Sequence, residues 1–199
     1  MVCKKCINNP VMKLPNSEVS LCKSCFIKYF EKKVLKTIRS NKLIADNDHI
    51  GVAVSGGKDS TTVLYLLNKF IKDFNNVKIT AIAIDEGIKG YRDLSLDNLK
   101  KFCDKYDIKL NIFSYESHFG KSLDNILLNN KSIIPCSVCG VFRRYLLNKC
   151  SKNLGFSKLA TGHNLDDEAQ SILMNYFRNN INISARLGPI TGVVNSNNF

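Results

Sequence analysis

The sequence predicts an α/β protein: a Rossmann-like doubly wound parallel sheet preceded by a small N-terminal zinc ribbon. Three observations predict it. Short apolar, β-branched runs end repeatedly in Gly or Asp turns and are followed by helical spacing, the period of a parallel sheet with crossover helices. The first such run, 49–54, stops at Ser55-Gly56-Gly57-Lys58-Asp59-Ser60. Two C-x2-C pairs, Cys3/Cys6 and Cys22/Cys25, precede it with fifteen residues between them.

That cysteine spacing suits a four-thiolate site, because each C-x2-C turn presents two sulfurs to one tetrahedral ion. A structural Zn2+ is expected, with a redox dithiol or an iron site as alternatives. The intervening segment reads as a hairpin around Pro15-Asn16-Ser17. So short a segment buries little apolar surface, so metal binding is expected to supply its folding energy. A helix is predicted over about 26–42, with Ile27, Phe30, Val34 and Ile38 on one face. Lys28, Lys32, Lys33, Lys36 and Arg39 lie largely elsewhere on it. The predicted organisation is a zinc ribbon at 1–27, a basic linker helix at 28–45 and a nucleotide domain at 46–199.

Behind the first strand, Val63, Leu64, Leu67, Phe70 and Ile71 recur at helical spacing. Strand, glycine turn and helix aim the loop amides and the positive helix end at one point, which suits an anion, above all phosphate. The glycines permit close backbone approach, Ser55 and Ser60 offer hydroxyl donors, and Lys58 adds a cation. A Walker A loop is excluded: Asp59 follows the lysine, and Val52 stands where its first glycine belongs. A second strand is predicted over 77–84, running into Asp85-Glu86-Gly87. A helix near Asp93 follows, with Leu94, Leu96, Leu99 and Phe102, then strands at 109–114 and 158–161. The last leads into Gly162-His163-Asn164-Leu165-Asp166-Asp167-Glu168. Gly162 allows a tight turn. Asp167 and Glu168 suit a helix N-terminus by charge, or Mg2+ bound through pyrophosphate oxygens. His163 reads equally as a ligand contact or a turn filler.

Cys136 and Cys139 open another predicted helix, next to Arg143 and Arg144. Thiols near a helix N-terminus and guanidinium groups make good nucleophiles or metal ligands, and a lone C-x2-C leaves zinc, redox dithiol and iron–sulfur open. Cys103 and Cys150 stand alone and are expected to be buried small hydrophobes. The formal charge is +12 over 199 residues. Residues 1–45 hold ten Lys/Arg against Glu18 and Glu31, and the remainder nineteen against fifteen acids. This concentration favours a polyanionic partner, RNA before membrane, since no interfacial aromatic pattern accompanies it; a solvated lysine-rich surface is the plain alternative. No apolar run approaches the ~18–20 residues of a membrane span. The N-terminus lacks an apolar signal-peptide core, so a cytoplasmic location is expected.

S-G-G-K-D-S resembles the pyrophosphate loop of N-type ATP pyrophosphatases (adenine nucleotide alpha-hydrolase-like enzymes). Taken with Cys3, Cys6, Cys22, Cys25, I-D-E-G-I-K-G-Y-R at 84–92, P-C-S-V-C-G at 135–140 and T-G-H-N-L-D-D-E-A-Q at 161–170, the chain resembles the TtcA/TtuA-type tRNA 2-thiolation enzymes. The N-terminal cysteines place the resemblance in the TtuA and wobble-uridine branch. It implies an enzyme that spends ATP to AMP and pyrophosphate, adenylates the C2 carbonyl oxygen of a tRNA uridine and replaces it with sulfur. It implies ATP held by Ala53, Val54, Ser55, Gly56, Gly57, Lys58, Asp59, Ser60, Ile84, Arg143, Gly162 and Asp167, with Mg2+. Asp59, Arg143 and Asp167 would serve catalysis, and Cys136 and Cys139 would hold sulfur, by the family's pattern on a [4Fe-4S] cluster with a third cysteine. tRNA, a sulfur-carrier protein or free sulfide, and a second copy of the chain are the implied partners.

Family chains continue into a further strand, the third cluster cysteine and a second zinc module, whereas this sequence ends at Phe199 with no Cys after Cys150. It is expected to be a fragment or a shortened member. The alternatives are another adenylating pyrophosphatase, such as a lysidine synthetase-like ligase, and an incomplete zinc-, nucleotide- or RNA-binding fragment.

Overall fold

The computed structural model describes residues 2–15, 17–128, 134–184 and 187–192. The chain divides into two compact units, Met1–Ile44 and Ala45–Phe199. In the first, β1 (Met12–Lys13) pairs antiparallel with β2 (Ser20–Leu21), Met12 facing Leu21 and Lys13 facing Ser20. The hairpin expected there is present; Asn16 of its tip lies outside the described residues. α1 spans Lys23–Ser40. It starts three residues before the predicted position because Cys22 is the N-cap, in extended conformation, and its carbonyl accepts from the Phe26 amide at 2.8 Å. The second C-x2-C therefore straddles a helix start, which apolar periodicity does not register.

The second unit alternates strand and helix: β3 (His49–Ala53), α2 (Lys58–Phe70), β4 (Lys78–Asp85), α3 (Arg92–Lys105), β5 (Lys109–Ser114), α4 (Tyr115–Phe119), α5 (Leu123–Leu128), α6 (Pro135–Asn153), β6 (Lys158–Ala160), α7 (Leu165–Phe177) and α8 (Ile181–Ser184). A 3-10 turn, Ile71–Asp73, closes α2. The four strands β3 to β6 form one parallel sheet in the order β5-β4-β3-β6. Right-handed crossovers put α2 and α3 on one face, because β3→β4→β5 steps outward in one direction. The return from β5 to β6 passes β3 on the other side. The order thus reverses between β3 and β6, where a doubly wound sheet opens its ligand crevice.

The central strands are buried on both faces, as a parallel sheet requires: Ile50, Val52, Ala81, Ile82, Ala83 and Ile84. α2 covers them with Leu64, Leu66, Leu67 and Phe70. On α3, Leu96 and Leu99 are buried as the spacing predicts, but Phe102 is half-buried, Leu94 is exposed and Arg92 is buried. Cys103 and Cys150 are both buried, and burial pushes the Cys103 thiol up to about 11. α7 buries none of its residues, and Leu165, Tyr176 and Phe177 are 82%, 77% and 81% exposed. Its described neighbour is the short α8.

Two local devices fix the crevice. A Cβ on Gly162 would lie 2.8 Å from both Cα and N of Ser60, so the turn after β6 rests directly on the first turn of α2. Gly56 has φ +85, and a Cβ there would meet the Ser95 carbonyl at 2.5 Å. At the opposite end of the sheet, Asp48 receives Lys158 Nζ at 2.6 Å, Ser157 Oγ at 2.8 Å and the Ala45 amide at 2.7 Å. These bonds tie the start of β3 to the start of β6.

Gly162→Ala therefore forces backbone apart, an overpacking cost of about 1–3 kcal/mol. Differential scanning calorimetry should show the melting temperature fall by roughly 2–10 °C; an unchanged value means the two turns do not touch. Burial raises the Asp48 carboxyl, but Lys158, the Ala45 amide and Ser157 outweigh it and hold it below its usual value. A depressed folded-state carboxyl contributes stability that is complete above the unfolded value of about 3.9 and is lost as pH falls through the folded value. Asp48→Asn should flatten the fall in urea-unfolding stability below about pH 4; a slope equal to wild type contradicts this.

Candidate functional site

The turn after β3 is built by its own serines. Ser60 Oγ accepts from the Ser55 amide at 3.1 Å and donates to the Gly57 carbonyl at 3.2 Å. Ser55 Oγ accepts from the Gly57 amide at 3.3 Å and lies 3.2 Å from Ser60 Oγ. Ser60 is buried. Both serine hydroxyls staple the loop from within. The amides of Lys58, Asp59 and Ser60 open α2, and the first amides of a helix have no intrahelical acceptor. Gly57 is the N-cap and offers no side chain to satisfy them. What remains for an anion is backbone, helix dipole and the Lys58 ammonium.

Ser55, Gly57, Lys58, Asp59, Ser60, Gly162 and His163 line a cavity of about 350 Å³. A larger shallow hollow of about 620 Å³ beside Lys13, Leu14 and Glu18 has no comparable convergence of amides. Ala53 ends β3 and Ile84 lies in β4, paired strands whose C-terminal ends face the crevice; Val54 is buried, its amide donating to the Ile82 carbonyl at 2.9 Å. Across the cavity, His163 Nδ1 is 3.0 Å from Thr161 Oγ1. Asp167 forms a capping box: its Oδ2 accepts from the Asn164 amide at 2.8 Å, while Asn164 Oδ1 accepts from the amides of Asp166 and Asp167. The helix-start reading of Asp167 thus describes one carboxylate oxygen. The other accepts no bond among the described residues.

Cys136 and Cys139 occupy the first turn of α6, with Cys136 exposed and Cys139 half-buried. Tyr115 is fully buried and donates its hydroxyl to the Cys139 carbonyl at 2.8 Å, anchoring this turn. Arg143, one helical turn on, donates from Nη2 to Cys139 Sγ at 3.1 Å and from Nε to Glu86 Oε1 at 2.8 Å. Burial works against the Arg143 charge, but Glu86 and Cys139 outweigh it and raise its pKa. Glu86 is buried, and its Oε2 lies 3.0 Å from Arg92 Nε. Arg92 also donates to the carbonyls of Ser55, at 2.8 Å, and Ile84. The structure therefore joins the turn after β3 to Cys139 through Arg92, Glu86 and Arg143. Neither Glu86 nor Arg92 was singled out as a site residue by spacing. Four charges stand from the end of β4 to the start of α3 (Asp85, Glu86, Lys89 and Arg92), and nothing in their spacing marks Glu86 and Arg92 as the buried pair.

In the first unit, the sulfurs of Cys3, Cys6, Cys22 and Cys25 all lie within 4.8 Å of one another, with Cys6–Cys22 at 3.4 Å and Cys6–Cys25 at 3.8 Å. A tetrahedral zinc with bonds of about 2.3 Å requires sulfurs about 3.8 Å apart, so the set fits that ion. A hydrogen bond with Ser24 leads the effects that bring Cys22 down to about 6, while burial and the neighbouring thiols push Cys25 up to about 12. Four thiols this close share protons unequally, and a divalent cation removes the conflict. Among the described residues this is the one group of three or more potential ligands. Cys136 and Cys139 alone fit part of an iron–sulfur ligand set.

Residues 27–190 match the PP-loop domain family. The chain is 40% identical over 196 residues to cytoplasmic tRNA 2-thiolation protein 1 of Drosophila sechellia, covering 97% of this chain and 56% of that protein. It is 42% identical over 186 residues to a probable sulfurtransferase of Methanocaldococcus jannaschii, covering 91% of this chain and 54% of that one. The structure of the U34-tRNA thiolase NcsA from Methanococcus maripaludis with its [4Fe-4S] cluster superposes with a TM-score of 0.83 at 38% identity, over 98% of this chain and 63% of that chain. The chain thus spans little more than half the length of the curated relatives it matches. With the family's match running from α1 through α8, and the glycine–serine turn at the sheet's switch point, the chain belongs to the PP-loop domain family.

Proposed function

We propose that this chain carries the ATP-binding and sulfur-handling part of a tRNA 2-thiolation enzyme. The observation that carries the reading is a phosphate-ready turn, with helix-start amides turned to a cavity, in the same compact unit as a thiol pair at another helix start. Thiolation names among relatives at about 40% identity support it. On this reading the outer phosphates of ATP lie on the Gly56–Ser60 turn beside Lys58. Main chain at Ala53, Val54, Ile84 and Gly162 receives the adenosine. Asp59 and the open oxygen of Asp167 would hold Mg2+, which neutralises phosphate charge.

The C2 carbonyl oxygen of a tRNA uridine attacks the α-phosphorus, and the bond to the β-phosphate oxygen breaks, releasing pyrophosphate. Lys58, the loop amides and Arg143 stabilise the developing charge. Sulfide then attacks C2, and AMP departs with the former carbonyl oxygen. If the sulfur is the outer atom of a persulfide on one of the two cysteines, the other thiolate breaks the S–S bond and the resulting disulfide is reduced by an external thiol. Cys136 and Cys139 would hold the sulfur. A [4Fe-4S] cluster, when bound, would supply an iron that carries sulfide, with these two thiolates among its ligands. A sulfur-carrier protein or free sulfide would be the donor, a second copy of the chain a further partner and the cytoplasm the location. We assign Zn2+ to the four N-terminal cysteines as scaffold, residues 1–27 to the ribbon, 28–45 to a basic linker helix suited to the tRNA backbone, and 46–199 to ATP chemistry.

Asp59→Ala should cut tRNA-dependent AMP release and 2-thiouridine formation by about 100-fold, read by nucleotide chromatography and nucleoside mass spectrometry. Thiolation at the wild-type rate contradicts the assignment. AMP release that survives loss of both Cys136 and Cys139, with no thiouridine, separates adenylation from sulfur transfer. Elemental analysis should find about one zinc per chain, lost in Cys22→Ser together with hydrogen-exchange protection of β1 and β2. Full protection without metal contradicts the scaffold role.

A further inference from the structure

The chain of contacts from Ser55 to Cys139 passes through three charged side chains, two of them buried. Arg92 and Glu86 are each 4% exposed. Burying a carboxylate is costly unless it is paired, and Glu86 is paired twice, with Arg92 Nε at 3.0 Å on one oxygen and Arg143 Nε at 2.8 Å on the other. Two guanidinium groups around one carboxylate leave a net positive charge, and the next atom in line is Cys139 Sγ, 3.1 Å from Arg143 Nη2.

The backbone at the corners of this chain is fixed separately. The Glu86 carbonyl accepts from the Leu123 amide at 2.8 Å, and Asp85 Oδ1 accepts from the Gly87 amide at 2.9 Å. Tyr115 holds the Cys139 carbonyl. The three side chains are thus mounted on fixed backbone and link Ser55 to Cys139. The Ser55 carbonyl is the first backbone acceptor of the phosphate turn, and it is the atom that Arg92 Nη1 holds.

We propose that Arg92 and Glu86 are positioning residues that keep the Arg143 guanidinium on Cys139 and make the reactivity of that thiol depend on polyphosphate in the Gly56–Ser60 turn. The ligand-dependent half rests on the nucleotide reading above; the placement of Arg143 does not. Glu86 is suited to the task because its carboxylate accepts from Arg143 Nε on one oxygen and forms an ion pair with Arg92 through the other. A glutamine in its place offers one acceptor and one donor, so it must release one of the two arginines whichever way it turns. Lysine at 92 cannot reach two carbonyls and a carboxylate in one plane as a guanidinium does.

The test uses the full chain with free thiols, alkylated by iodoacetamide, with Cys139 and Cys136 read separately by peptide mass spectrometry. Inorganic pyrophosphate is the probe, because it fills the turn without bringing an adenosine near the thiols. Without ligand, Glu86→Gln should lower the Cys139 to Cys136 rate ratio about fivefold, the scale of a modest coupling between sites. In wild type, pyrophosphate should change the Cys139 rate by a similar factor and leave Cys136 unaltered. That response should vanish in Glu86→Gln while calorimetry still detects pyrophosphate binding. General loosening of the fold would raise both rates together, and if Glu86→Gln fails to fold, Arg92→Lys gives the same readout. A wild-type ratio and response in a folded variant overturns the proposal. If wild type binds neither pyrophosphate nor ATP, the nucleotide reading fails, and the ligand-free ratio alone decides whether Glu86 positions Arg143.

Discussion

The contact of Gly162 with the backbone of Ser60 is the constraint on which the rest depends. Two turns from non-consecutive strands meet there with no room for a side-chain carbon. That contact brings the C-terminal ends of β3 and β6 together where the strand order reverses, and it sets the width of the cavity between them. Anion binding by helix-start amides needs such a wall, because an isolated helix end in water is already solvated. The staples of Ser55 and Ser60 serve the same end from within, fixing the amides in one direction before any ligand arrives.

A second constraint is electrostatic. Glu86 and Arg92, both buried, and the more exposed Arg143 form a charged group between the phosphate turn and the start of α6. Such groups seldom add much net stability, since desolvation consumes most of the Coulombic gain. Their effect is geometric: they allow few arrangements. Here the arrangement places a guanidinium on a thiol, while the tyrosine hydroxyl of Tyr115 holds the same turn from the core side. The thiol pair and the phosphate turn thus share one charged framework within the second unit.

Much of this was legible in the sequence, for identifiable reasons. The glycine–serine turn, the strand runs and the four N-terminal cysteines are local patterns, and each was placed within a few residues of its observed position. β4 was legible because a strand buried on both faces reads as a continuous apolar run. The start of α1 was missed because Cys22 caps it without a side-chain hydrogen bond, so no capping residue signals it. The burial of Arg92 in place of Leu94 was missed because periodicity ranks residues by hydrophobicity. The partner that makes a buried arginine tolerable, Glu86, also reaches Arg143, 57 positions along the chain. Sequence shows what the serine hydroxyls can donate, and the folded loop adds the bonds they make within it.

The central claim is that the turn after β3 receives the phosphates of ATP through its backbone. The most direct measurement is the amide NMR spectrum of the isotopically labelled chain, titrated with ATP and then with adenosine. The account predicts that ATP shifts the amides of Gly56, Lys58, Asp59 and Ser60 and slows their exchange, while adenosine leaves them in place. Amides at this turn that stay unmoved at saturating ATP, with shifts elsewhere, would contradict it.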